Sequence, residues 1–149
     1  MADEQQLCTF YAGGLYFGLD VREVQEVLQY QDMVRVPLAS EVVRGLINLR
    51  GQIVTAIDLR RRLDLPERDA DVDPMNVVVR SDDGAVSLLV DEIGDVLEVD
   101  ERSFERAPET LRGRMRDLVE GVYKLDGRLL LVLDAQKAID LPQPRHEDG

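Results

Sequence analysis

Two stretches of the chain match one another without a gap: GLINLRGQIVTAID at residues 45–58 and GVYKLDGRLLLVLD at residues 121–134. Their glycines, their central leucine and their closing aspartate coincide. Both stretches then run on to a similar ending, LDLP at residues 63–66 and IDLP at residues 139–142. An internal repeat of this kind indicates that one structural unit is built twice.

The repeated unit predicts its own local structure. An apolar strand leads to a turn at Gly51 or Gly127, where glycine adopts a positive φ at little cost, and a second apolar strand follows. Asp58 and Asp134 then stand where a helix N-cap belongs. A short helix should end before the proline that follows, because proline cannot continue it. Each copy therefore reads as strand, turn, strand and short helix.

A second hairpin is predicted before each copy of the unit. Gly13-Gly14 and Asp83-Gly84 are two-residue turn signals. Apolar residues alternate after each of them, at 15, 17 and 19 and again at 86, 88 and 90, which is the pattern of half-buried strands. Each half of the chain should therefore contain two hairpins.

The segments after these hairpins differ between the halves. Asp20 and Glu23 form a capping-box pattern, and the apolar residues at 21, 24, 27 and 28 have helical spacing, so we expect a helix of about two turns there. The segment after Asp91 is more typical of a strand. Residues 100–117 are charged and irregular, and we expect a loop with a short helix after Ser103.

The chain should fold as one domain of two lobes, at about residues 7–66 and 75–142. A polar, breaker-rich connector separates them at residues 67–74, and a tail follows at 143–149. A lobe of this size buries little of its surface alone, so the two should share an apolar core. Aromatic residues are 5% of the chain and Trp is absent, so that core is aliphatic. Short strands joined by hairpins favour closure into small barrels, giving a mostly β fold with a few short helices.

The composition of the chain disfavours several classes of partner and of catalytic site. A net charge of −12 disfavours nucleic acid and anionic membranes as partners, since both repel an acidic surface. No signal peptide or membrane span is visible, and the single cysteine, Cys8, fits a reducing cytosol. One cysteine and one histidine, His146 in the tail, cannot form a Cys/His zinc site and supply nucleophilic catalysis poorly. Acidic residues are numerous, but none stands out as a catalytic pair, so we expect a protein without enzymatic activity, metal or cofactor.

The repeat also offers an internal control. The second turn is Asp126-Gly127, a strong hairpin pair, whereas the first is Arg50-Gly51. Arg is a poorer turn residue than Asp. Binding to a carboxylate or carbonyl group of a partner could therefore explain why arginine occupies position 50. A solvated Arg50, or one paired with a nearby acid, remains the alternative.

Several other positions can be explained by an ordinary structural role, without a partner. Val24 reads as core and Glu26 as solvated, while Cys8 reads as a small buried hydrophobe. The basic run at residues 60–62 reads as a solvated helix face near a helix C-terminus.

Six motifs along the chain occur together in one known family. They are TFYAGGLYFGLDVREVQEV at residues 9–27, RVP at 35–37, VRGLINLRG at 43–51, IDLR at 57–60, VDEIGDV at 90–96 and APE at 107–109. These motifs, in this order, give the chain a resemblance to the CheW-type coupling proteins of bacterial chemotaxis. The resemblance extends from about residue 7 to residue 141, nearly the whole chain, as a single CheW-like domain.

The resemblance implies two packed SH3-like five-stranded barrels and a scaffold that catalyses no reaction. Such proteins bridge the cytoplasmic tip of methyl-accepting chemoreceptors and the regulatory domain of the histidine kinase CheA. They are cytoplasmic and are recruited to receptor arrays at the inner membrane. A sensor that binds a metabolite between the lobes is the alternative function. The implied receptor contacts are Val24, Glu26, Asn48, Arg50 and Gly51, and the implied kinase contacts are Met33, Val34, Arg35, Val36 and Pro37.

Overall fold

The computed structural model describes residues 4–37, 40–82 and 84–141. Three short α-helices, α1 (Leu59–Arg62), α2 (Gly113–Leu118) and α3 (Ala135–Ile139), and two 3-10 helices (Val21–Glu23 and Glu101–Ser103) lie in this part of the chain. Its strands are β1 (Glu4–Ala12), β2 (Leu15–Asp20), β3 (Val24–Leu28), β4 (Val43–Leu49), β5 (Gln52–Asp58), β6 (Met75–Ser81), β7 (Gly84–Val90), β8 (Glu92–Asp100), β9 (Glu105–Arg106), β10 (Val119–Leu125) and β11 (Arg128–Leu133). The predicted mostly β fold with a few short helices is confirmed.

Both copies of the repeated unit form the predicted elements. Strands β4 and β5 form one antiparallel hairpin, and β10 and β11 form the other. Asp58 caps α1 by accepting a hydrogen bond from the amide of Arg60 at 3.0 Å, and Asp134 caps α3 through the amide of Lys137 at 3.1 Å. The unit therefore folds the same way twice because its turn and capping residues recur.

The strands form two sheets that exchange partners between the halves of the sequence. One sheet has the order β8-β1-β2-β11-β10-β9, and the other has the order β3-β6-β7-β5-β4. Each sheet therefore takes strands from both sides of the connector, and the lobes expected at residues 7–66 and 75–142 do not coincide with the sheets. The exchange is reciprocal, since β3 pairs with β6 and β8 pairs with β1.

The buried apolar side chains of the described residues form three groups. The largest lies between the two sheets and the α-helices and includes Phe17, Ile57 and Leu88. A second group takes its buried members from the six-stranded sheet, and a third takes them from the five-stranded sheet. A sheet that encloses a core of its own must curl around it, so each sheet approaches the barrel expected from the sequence.

One expected helix is wrong, and another begins later than Ser103. The segment after Asp20 makes one 3-10 turn and then forms β3, because the strand-forming residues 24–28 pair with β6. Backbone pairing in a sheet thus overrides the helical spacing of its valines. In the segment 100–117, Phe104 separates Ser103 from the short strand β9, and the short helix expected there is α2, which begins at Gly113.

Some expectations fall on residues whose structure is not described. Asp83, at the second predicted hairpin turn, lies outside the described residues, although β6 and β7 do pair on either side of it. The tail, with His146, also lies outside them. Within the described residues, every helix is too short or too polar to cross a membrane.

Candidate functional site

The turn between β4 and β5 has an unusual backbone. Arg50 has φ 53° and Gly51 has φ 88°, so both residues of the turn are left-handed. Left-handed backbone costs a residue with a Cβ about 1–2 kcal/mol. The side chain of Asn48 compensates, because its Oδ1 accepts a hydrogen bond from the Gly51 amide at 2.8 Å. Asn48 and Gly51, expected to contact a partner, thus shape the turn that presents Arg50.

The matching turn in the other copy is relaxed. Among the described residues, the only non-glycines with positive φ are Arg50 and Asp64, so Asp126 has an ordinary backbone and only Gly127, at φ 80°, is left-handed. Lys124 replaces Asn48 there, and an ammonium group cannot accept a hydrogen bond. The strained conformation therefore belongs to one copy alone, and strain of this kind concentrates at functional sites.

Arg50 forms an ion pair with Glu26. Glu26 lies on β3, at one end of the five-stranded sheet, and Arg50 follows β4, at the other end. The pair therefore joins the two edges of the curled sheet. The hydrogen bond from Arg50 holds the pKa of Glu26 below its usual range. The Arg50 side chain remains 69% exposed, which leaves several of its donors free to meet a partner.

Apolar residues accompany this pair. Val24 is half-buried and packs against the core between the sheets, which agrees with its plainer interpretation as a core residue. Val27, next to Glu26 on β3, and Ile53, paired with Asn48 in the hairpin, are exposed. The site thus combines a charged group with exposed aliphatic side chains, a composition suited to protein binding.

The second predicted surface lies along β4. Within Met33–Pro37, Val34 forms an isolated bridge with Leu46, with backbone hydrogen bonds of 2.9 and 2.8 Å. Gly45 permits this approach, since a Cβ there would lie 2.6 Å from the Val34 carbonyl oxygen. The Val34 side chain is 71% exposed, and Arg35, Val36 and Pro37 are exposed beside it. Both predicted surfaces therefore border β4, one at its side and one at its end.

The basic run at residues 60–62 is not the solvated face expected. Arg60 binds Asp91, Arg61 binds Glu67, and Arg62 donates to the backbone carbonyls of Lys137 and Ala138 at the end of α3. Arg62 is buried, and that burial lowers its pKa. The tertiary structure alone brings these acceptors together.

Other features offer little chemistry. Cys8 is half-buried rather than buried, and burial raises the pKa of its thiol. In the described part of the chain, no cluster of three or more His, Cys, Asp or Glu side chains could hold a metal ion. An open groove of about 630 Å³ lies between the five-stranded sheet and α3, with Thr55, Gln136 and Asp140 among its lining.

Comparison with known proteins identifies the family. The CheW-like domain model matches residues 6–143. The chemotaxis protein CheW of Bacillus subtilis (strain 168) is 32% identical over 136 residues, covering 91% of this chain and 87% of that protein. The chemotaxis protein CheW of Treponema pallidum (strain Nichols) is 30% identical over 142 residues, covering 91% and 82%.

A solved structure agrees with these relatives. The crystal structure of scaffolding protein TtCheW from Thermoanaerobacter tengcongensis is similar with a TM-score of 0.79 and 28% identity, covering 87% of this chain and 88% of that one. The family model spans nearly the same residues as the two described sheets. The chain therefore belongs to the CheW-like domain family.

Proposed function

We propose that the chain is a non-catalytic scaffold that couples transmembrane chemoreceptors to the histidine kinase CheA in bacterial chemotaxis. Family membership supports this role, as do relatives named as chemotaxis proteins and a similar structure named as a scaffolding protein. The relatives' names give no support to the alternative of a metabolite sensor. The scaffold works in the cytoplasm and is recruited to receptor arrays at the inner membrane.

The single observation that supports a binding role for this site best is the left-handed Arg50. A strained residue persists only where the surrounding structure holds it, and here Asn48 and Glu26 do so. The exposed guanidinium can donate to a carboxylate or to backbone carbonyls of the receptor tip. Val24 and Glu26 border it on β3, and Asn48 and Gly51 set its position.

The kinase would bind along Met33–Pro37. This segment is mostly exposed, and it is held to the body of the protein by the bridge at Val34 and by the contact of Met33 with the core of the five-stranded sheet. An exposed apolar segment on a rigid support is a good docking surface for another small β domain. The kinase would then meet the protein at the side of β4, and the receptor at its end.

Binding of a purified receptor-tip fragment, measured by calorimetry, tests the receptor contact. We expect Arg50→Ala to weaken binding at least tenfold and Arg50→Glu to weaken it further, because truncating a desolvated charged contact costs about 2–5 kcal/mol. Asp126→Ala, at the same position of the other copy, is the matched control and should bind as the wild type does. Circular dichroism should show all three variants folded.

Two outcomes would contradict the assignment. Unchanged affinity in both Arg50 variants would remove Arg50 from the interface. Equal losses in Arg50→Ala and Asp126→Ala would show that the two turns are not distinguished by the partner.

A further inference from the structure

The chain passes between the two sheets at two places. It leaves the six-stranded sheet after β2, crossing through the 3-10 helix at Val21–Glu23 to β3, and it returns at Asp91, between β7 and β8. The connector at residues 67–74 is not a crossing, because β5 and β6 both belong to the five-stranded sheet. A buried core and the contact of Arg62 on α1 with the end of α3 also hold the sheets together, and the two crossings differ in how firmly each is bound.

The crossing at Asp91 is bound to the opposite sheet. Its amide donates to the Tyr11 carbonyl at 2.8 Å, and its carboxylate accepts from the Gly13 amide at 2.9 Å. Tyr11 lies on β1 and Gly13 in the turn that follows it, so both belong to the six-stranded sheet. Asp91 thus ties the end of β7 to the neighbouring hairpin.

Two arginines complete this arrangement. Arg60, on α1, donates to both carboxylate oxygens of Asp91 at 3.0 and 2.6 Å. Arg68, from the connector, donates to Asp91 at 3.1 and 3.2 Å and to Asp58 at 3.2 Å. The Arg68 side chain is only 5% exposed and the Asp58 side chain 3%. Burial opposes ionisation of Asp91, but its hydrogen bonds outweigh that effect and lower its pKa.

The crossing after Asp20 is held more loosely. Asp20 binds Arg22, two residues away, whose side chain is 83% exposed, and it accepts from Gln5 of the same hairpin. Glu23 accepts one hydrogen bond at 2.7 Å from Gln136 of α3, in an exposed position. Exposed pairs of this kind contribute little, whereas charge-assisted hydrogen bonds between buried groups are less screened and stronger.

We propose that Asp91, Arg60 and Arg68 form an ionic lock that holds the crossing at Asp91 against the six-stranded sheet. The connector is then a working part of the lock, since it supplies the buried Arg68.

Hydrogen exchange on the full-length protein, followed residue by residue by NMR, tests the lock without any partner. In Arg68→Ala we expect the Gly13 and Asp91 amides to exchange at least tenfold faster than in the wild type. Amides inside each sheet, such as those of Val78 and Leu131, should keep their wild-type rates. Arg22→Ala, which removes the pair at the other crossing, is the matched control and should leave the Gly13 and Asp91 rates unchanged.

Further variants keep the test decisive if Arg68→Ala does not fold. Arg68→Lys retains the charge but cannot bridge two carboxylates in the same way, and it should give intermediate rates at Gly13 and Asp91. Wild-type rates at both amides would overturn the lock. Uniform acceleration across all amides would also overturn it, because it would show Arg68 to be a general stabilising residue. Neither result depends on receptor binding, so the lock and the proposed function can fail separately.

Discussion

The two copies of the repeated unit put arginine to different uses beside the same turn. In the first copy, Arg50 occupies the turn itself with a left-handed backbone and projects outward. In the second copy, Arg128 follows the turn and lies back on its own sheet, 4.0 Å from the centre of the Tyr16 ring, with a 2.7 Å hydrogen bond to the Tyr11 hydroxyl. The first copy thus leaves its arginine exposed, and the second packs its arginine against an aromatic ring. The two copies therefore share the order of their strands and helix, and they differ in the residues at the turn.

A glycine at matched positions is the strongest common feature of the copies. A Cβ on Gly121 would collide with the Phe104 ring and the Glu105 carbonyl, just as one on Gly45 would meet the Val34 carbonyl. Both glycines lie at a register shift in their hairpins. In both copies, a neighbouring segment pairs closely with the first strand of the hairpin near this glycine.

The largest effect is expected from replacing the matched glycines. Gly121→Ala and Gly45→Ala should each reduce the free energy of unfolding by about 2–3 kcal/mol, because the added methyl group would push the paired neighbouring segment away from the hairpin. Urea unfolding measures the loss. Gly14→Ala has free space around its Cβ and isolates the cost of a positive φ alone. Stability losses no larger than that of Gly14→Ala would show that the paired segment can move aside at little cost.

A smaller effect sharpens the contrast between the turns. Asn48→Ala should cost about 1 kcal/mol, because the Gly51 amide loses its acceptor and the strain at Arg50 is no longer compensated. Lys124→Ala, at the matched position, should change stability little. Thermal or urea unfolding of both variants provides the comparison, and equal losses would mean that Asn48 does not support the turn.

The smallest effect concerns the looser crossing between the sheets. Hydrogen bonds from Arg22 hold the pKa of Asp20 at about 2, against an ordinary value of 3.8. A lowered folded-state pKa stabilises the protein above about pH 4, and that stability is lost as the pH falls towards 2. Asp20→Asn should therefore be less stable than the wild type at pH 6, by about 1 kcal/mol or less for such an exposed pair, and the difference should shrink near pH 2. Urea unfolding at both pH values measures it, and a difference independent of pH would exclude the ion pair as its cause.

Local features of the fold were predictable from the sequence because they depend on neighbouring residues. The hairpin turns at Gly51 and Gly127 and the N-caps at Asp58 and Asp134 are set by residues within a few positions. The segment 24–28 was mistaken for a helix because its spacing suits one, and its true partner, β6, lies about fifty residues away. The comparison of the two turns singled out Arg50, but its strained backbone and its pair with Glu26 were visible only in three dimensions.

The sequence by itself determined that a strand–turn–strand–helix unit occurs twice and that the first turn departs from the second at Arg50. It also indicated a core of mostly aliphatic side chains, although Phe10 and Phe17 stack inside that core. Only the tertiary structure decided which strands share a sheet, and it placed β3 with β6 and β8 with β1 across the connector. It also decided that Arg60, Arg62 and Arg68 are tied to buried or distant acceptors instead of lying in solvent. Turns and caps are short-range and follow from residue type, whereas strand pairing and buried ion pairs depend on contacts between residues far apart in the chain, which no local pattern encodes.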